Sequence, residues 1–140
     1  MSEMSMILIK SDAYVRGLRD VILGGLVHEG LVVVKRKIIL LDEEIIRKYQ
    51  PILDEPSEFG EGWKHEVFRA LSSRPVEVLL VSGEEALHKT YLLKKYLRQV
   101  YCPGSDYQSR VIFNLLHTPD DCRELDLNVR VLLPEVLTFI

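Results

Sequence analysis

The chain has 140 residues, 47% of them hydrophobic and 28% charged, with a net charge of -3 and a pI near 5.8. That length suits one domain, 1–140, with a sizeable core, and the composition argues against disorder. The acidic balance offers no broad footprint for nucleic acid, so any phosphate chemistry must rest on a few local cations.

No apolar run reaches the roughly 18 residues that a membrane span needs, and Met1-Ser2-Glu3 lacks a basic start, so the chain reads as cytoplasmic. Cys102 and Cys122 lack metal-ligand spacing, and their thiols are expected to be reduced.

In chain order, Met6 to Lys10 reads as a buried strand. Ser11-Asp12 then offers a cap for a helix through roughly His28, stopped at Gly30. Leu31 to Leu41 is rich in Val and Ile around Lys35-Arg36-Lys37 and reads as a strand with a solvated middle. Asp42-Glu43-Glu44 begins a short helix ending near Tyr49, since acidic residues favour a helix N-terminus. Prolines, glycines and acids make Pro51 to Gly62 a loop. Trp63 to Leu71 is helical in pattern, Val76 to Val81 a fully apolar strand, and Gly83 to about Val100 a long helix. Pro103-Gly104-Ser105 breaks that helix, Val111 to Leu116 is the last core strand, and Asp120 to Asn128 a short helix. This order predicts an α/β (α+β) sandwich with a ferredoxin-like antiparallel sheet of split βαβ topology. Many functions share that fold, so the sites must carry the functional argument.

Lys10 stands where a core strand meets a helix start, a geometry suited to phosphate. A lysine is a compact charge for phosphoryl oxygens, and helix-start N–H groups attract the same anion. From spacing alone a solvated lysine ending a strand is the commoner reading. His117 follows Asn114 at a short spacing, ahead of an acidic turn. A neutral imidazole is nucleophilic and largely unprotonated near neutral pH, so it can accept a phosphoryl group and pass it on. A hydrogen-bonded histidine at a strand end is the other reading. In a regular strand residues three apart lie on opposite faces, so Asn114 and His117 share a site only if the backbone bends or the strand begins after Asn114. Tyr49 offers a phenolic hydroxyl at a helix end, where packing is the commoner role.

Two segments resemble the nucleoside diphosphate kinase family. Ile9-Lys10-Ser11-Asp12-Ala13-Tyr14-Val15-Arg16-Gly17 follows its motif I-K-P-D-x-x-x-R-G, with Ser11 at the proline. Asn114-Leu115-Leu116-His117-Thr118-Pro119-Asp120 follows N-x-x-H-G-S-D, with Thr118-Pro119 at the Gly-Ser. The resemblance runs from about Met6 to Glu135, including Pro134-Glu135. It implies a phosphotransferase that moves the terminal phosphate of a nucleoside triphosphate to a diphosphate through a phosphohistidine at His117. Mg2+ would arrive on the nucleotide, and the protein would be a homo-oligomer. Lys10 would contact phosphate and ribose, Tyr49 the transferring group and Asn114 the sugar hydroxyl.

Val111 matches an apolar wall for the base. Phe59 or Trp63 could supply the stacking ring, although direct register puts Ser57 there. The departures concern charge. Tyr91 and Tyr107 stand at the family's two arginines, Tyr101 lies near its threonine, and Arg98 and Arg110 are nearby cations that could substitute. The glutamate that orients the family's histidine is Asn128 in register, and an amide stabilises an imidazolium less than a carboxylate does. Lys94-Lys95 reads as solvated helix surface. These losses leave a second reading, a nucleotide-binding or protein-interaction module that transfers nothing. An RNA-binding domain of the same fold is disfavoured, since the chain carries neither strand aromatics nor a basic face.

Overall fold

The computed structural model describes residues 3–49, 62–72, 74–104 and 114–139. Two of its strands, β1 (Glu3–Ile9) and β3 (Val76–Gly83), are apolar at nearly every central position because both faces of the sheet are covered. Met6, Leu8, Val78 and Leu80 enter one core, while Ile7, Ile9, Leu79 and Val81 enter the other. Pleating sends successive side chains to opposite faces, so an unbroken apolar run is what a doubly covered strand requires.

Among the described residues the sheet has four strands in the order β2-β3-β1-β4, where β2 is Val32–Ile39 and β4 is Leu116–His117. Each neighbouring pair is antiparallel. This is the expected α/β sandwich with a ferredoxin-like sheet. One face carries α1 (Ser11–Val15), α2 (Arg19–His28) and α5 (Ala86–Tyr101), through residues such as Ala13, Ile22, Leu26 and Leu97. The other carries α3 (Glu43–Tyr49), α4 (Trp63–Ser72) and α6 (Cys122–Leu132), through Ile46, Val67, Phe68 and Leu132.

The helix expected from Ser11 to His28 is two helices. Gly17 between them has φ +70°, and the N–H groups of Arg16 and Gly17 return to the carbonyls of Asp12 and Tyr14. An added Cβ at Gly17 would meet nothing within 4 Å, so the left-handed dihedral and not lack of space calls for glycine. Asp12 does not cap this helix, whose N-cap is Lys10 with no side-chain cap bond.

The charged middle of β2 is paired as well as solvated. Lys35 and Lys37 reach Glu135, 3.8 and 3.2 Å away, in the 3-10 turn Pro134–Phe139. Arg36, on the opposite face, reaches Glu77 at 2.8 Å. Helix α6 runs one turn beyond the expected Asn128. It opens on a capping box in which Asp121 Oδ1 accepts the Glu124 N–H at 2.8 Å and Glu124 Oε2 accepts the Asp120 N–H at 3.1 Å.

Candidate active site

The chain between Asn114 and His117 bends, which meets the condition set by their spacing for both to serve one site. The Leu116 N–H bonds the Asn114 carbonyl at 2.8 Å, closing a γ-turn around Leu115, whose φ is +71°. Positive φ at a leucine is strained, and such turns persist only when their surroundings hold them. Asp12 Oδ2 accepts the Leu115 N–H at 3.0 Å, and the Lys10 N–H donates to the Leu115 carbonyl at 2.9 Å. Arg98 closes the clamp: its Nε donates to the Asn114 carbonyl at 3.1 Å and its Nη2 to the Leu116 carbonyl at 2.5 Å. Leu116 and His117 then pair with Ile9 and Leu8, so β4 borders the C-terminal end of β1.

The turn brings Lys10 and Asn114 into contact, with Lys10 Nζ donating to Asn114 Oδ1 at 2.7 Å. Lys10 is only 7% exposed. Burial pushes its ammonium down to about 7; Asp12 opposes the shift and Arg98 reinforces it. Burial likewise raises the Asp12 carboxyl, against the pull of Lys10 and the Leu115 N–H.

His117 is also 7% exposed. Its Nε2 faces two oxygens of α6, Asn128 Oδ1 at 2.9 Å and Glu124 Oε1 at 3.2 Å. Both are acceptors, so Nε2 carries a proton and in the neutral ring the lone pair lies on Nδ1. The residue after it, Thr118, is fully buried, with its carbonyl taking a 3.0 Å bond from Lys94 Nζ. Lys94 also holds Asp120 at 2.6 Å. Reading Lys94 as solvated surface was therefore wrong: it is 6% exposed and grips the segment behind His117.

A cleft of about 500 Å³ lies along α5, lined by Tyr91, Lys94, Lys95, Arg98, Gln99 and Asp120. The ammonium groups of Lys94 and Lys95 sit 5.2 and 5.1 Å from the Tyr91 ring centre. Arg16 fastens the end of the same helix, donating from Nη2 to the Tyr101 carbonyl at 2.8 Å.

Lys10, Asn114 and Arg98 thus meet at one turn, and His117 follows it directly with its ring against α6. Tyr49 is the last residue of α3, a helix packed on α6 through Ile45, Ile46, Leu125 and Val129, and the position of its ring lies outside the described residues. Phe59, Arg110 and Val111 lie outside them too, as do Ser57, Tyr107 and the Trp63 side chain. Among the described residues, no group of three His, Cys, Asp or Glu side chains converges as a metal cage. No described helix is long and apolar enough to cross a membrane. Sequence reasoning missed Glu124 and Lys94. For Glu124 the signal was present: an Asp-x-x-Glu box at a helix start places that carboxylate back over the preceding turn.

Fold and site together define a ferredoxin-like α/β protein with a buried lysine just past the end of β1 and a tautomer-fixed histidine on the neighbouring strand β4. The sequence is 26% identical over 141 residues to the nucleoside diphosphate kinase of Saccharopolyspora erythraea, covering 97% of this chain and 100% of that one. It is 29% identical over 122 residues to that of a Roseiflexus species, covering 84% and 78%. No family model matches the sequence. Among solved structures, a halophilic nucleoside diphosphate kinase from Halobacterium salinarum in complex with CDP superposes with a TM-score of 0.74 at 22% identity, over 94% of this chain and 88% of that one. In sequence and in fold the chain is thus similar to nucleoside diphosphate kinases.

Proposed function

We propose that residues 1–140 form one kinase-like domain that transfers the terminal phosphoryl of a nucleoside triphosphate to a nucleoside diphosphate through His117. The observation that carries this reading is the pair of acceptor oxygens on His117 Nε2, which leaves the nucleophilic lone pair on Nδ1. That lone pair attacks the terminal phosphorus, the bond from phosphorus to the bridging oxygen breaks, and its electron pair departs on the diphosphate. The Nε2 proton stays, so the phosphorylated ring is cationic until an incoming diphosphate oxygen takes the phosphoryl and returns the pair to Nδ1.

In this proposal Lys10 binds phosphate and ribose, and Asn114, already bonded to Lys10, holds the sugar hydroxyl. Lys94, Lys95 and Arg98 give the α5 cleft a cationic wall despite Tyr91. Tyr49 and Arg110 would assist the transferring group, with Val111 and Phe59 against the base. Mg2+ enters as part of the nucleotide substrate, and the working protein is a cytoplasmic homo-oligomer.

The test is incubation with labelled triphosphate and Mg2+, followed by acid and alkali. An acid-labile, alkali-stable label that His117→Ala abolishes while still binding nucleotide is the expected result. Phosphate exchange by His117→Ala at the parental rate overturns the assignment. One observation favours the second reading, a nucleotide-binding or protein-interaction module: Arg98 Nε and Nη2 are committed to the turn backbone. Nucleotide binding by the parent without any label selects it.

A further inference from the structure

A histidine that carries a phosphoryl group becomes cationic, and a carboxylate against its other nitrogen stabilises that cation more than an amide does. Asn128, which touches Nε2 at 2.9 Å, cannot supply that charge. One turn earlier on the same face of α6, Glu124 can, with Oε1 3.2 Å from Nε2. We propose that Glu124 is the positioning residue for His117, its carboxylate displaced by one helical turn from the register where the family carries it. The inference rests on the phosphotransferase reading for its catalytic consequence but not for its geometry.

Four contacts aim this carboxylate. The Glu124 N–H is tied to Asp121 Oδ1 at 2.8 Å, fixing the first turn of α6. Oε2 accepts the Asp120 N–H at 3.1 Å, which leaves Oε1 directed at the ring. Asp120 in turn is held by Lys94 at 2.6 Å, and Lys94 also binds the Thr118 carbonyl, so the segment joining His117 to α6 is anchored at both ends. A side chain that only capped the helix would need one of its two oxygens. Glu124 uses the second on His117. During transfer the Nε2 proton stays on nitrogen between Asn128 and Glu124 while the Nδ1–P bond forms and breaks, so no proton need leave the ring.

The experiment is an NMR titration of the His117 ring, assigned with His117→Ala, alongside single-turnover labelling from radiolabelled ATP with Mg2+. The proteins are the parent, Glu124→Gln and Glu124→Gln/Asn128→Glu. Lys10 and Asp12 before the turn, Arg98 and Lys94 from α5, and Asp120 ahead of α6 hold the backbone around His117 and are the same in all three. Glu124→Gln should change the NMR signals of the His117 ring and slow labelling roughly 10- to 100-fold at saturating ATP with nucleotide affinity unchanged. The second change should restore both, because it returns a carboxylate to Nε2 without returning one to the cap. Unchanged ring signals in Glu124→Gln overturn the proposal, as does a thermal destabilisation with no change in those signals or in labelling. A parent that never labels overturns the kinase reading instead, while the titration still decides whether Glu124 holds the ring.

Discussion

Two buried polar clusters flank the C-terminal end of β1, and they treat charge in opposite ways. Ile9 pairs with Glu77 on one side and with Leu116 on the other. On the β3 side, Arg19 grips both oxygens of Glu77 at 2.8 Å, Arg36 adds two more bonds at 2.8 and 3.4 Å, and the Tyr14 hydroxyl donates a fifth. Burial alone would push the Glu77 carboxyl up, but the bonds from Arg19, Arg36 and Tyr14 outweigh it and hold the group at about 2. On the β4 side, burial wins, and Lys10 falls to about 7 with Asp12 moving the opposite way. A fully compensated buried charge is locked and inert, whereas an incompletely compensated one titrates near neutrality and can respond to an arriving anion. Burial by itself therefore does not mark the site; the balance between desolvation and pairing does.

The sharpest way to break this contrast is to remove each charge and measure both activity and stability. Lys10→Ala should reduce single-turnover labelling roughly 100-fold or more, as expected for a lost electrostatic donor, with little change in the urea midpoint. A variant that labels normally but unfolds early would make Lys10 the structural charge. Glu77→Gln should do the reverse, costing about 3 kcal/mol in urea denaturation at neutral pH, the low end for breaking a buried ion pair. The low end is expected because the Arg19 and Arg36 side chains are 29% and 52% exposed and can rehydrate. Labelling per folded molecule should be unchanged.

The pH dependences also separate the two clusters. The folded pKa of Glu77 lies below its ordinary value, so its stabilisation is complete above about 4.5 and is lost as pH falls towards 2. In the proposed role Lys10 is charged when it holds phosphate, and with a free-protein pKa of about 7 nucleotide binding should then take up a proton. Triphosphate affinity should fall roughly fivefold between pH 7 and 8 by calorimetry, and that slope should vanish in Lys10→Ala. The smallest effect is expected for Tyr14→Phe, which removes one of several bonds to Glu77. A loss of about 0.5 to 1 kcal/mol in urea denaturation is anticipated; a loss as large as that of Glu77→Gln would show that the phenol, not the arginines, holds the carboxylate.

Much of this was legible in one dimension. The unbroken apolar runs of Met6 to Ile9 and Val76 to Val81 announce strands covered on both faces, because a half-exposed strand would alternate. The spacing of Asn114 and His117 demanded a bend or a late strand start, and both occur: a γ-turn at Leu115 and a strand beginning at Leu116. The break at Gly17 was less visible, since Arg16-Gly17-Leu18 lies inside a pattern that continues at helical intervals.

What sequence alone determined, then, is the sheet and its two cores, with Lys10, Asn114 and His117 picked out as candidates, since hydrophobic period and motif spacing are local properties of the chain. Tertiary structure decided where the charges point. Lys94 turns inward to Thr118 and Asp120, Arg98 spends two donors on a strained turn, and Glu124 reaches the ring beside Asn128. Long polar side chains can satisfy themselves in solvent or against any nearby backbone group, so their direction depends on which carbonyls and imidazoles the folded chain happens to leave within reach.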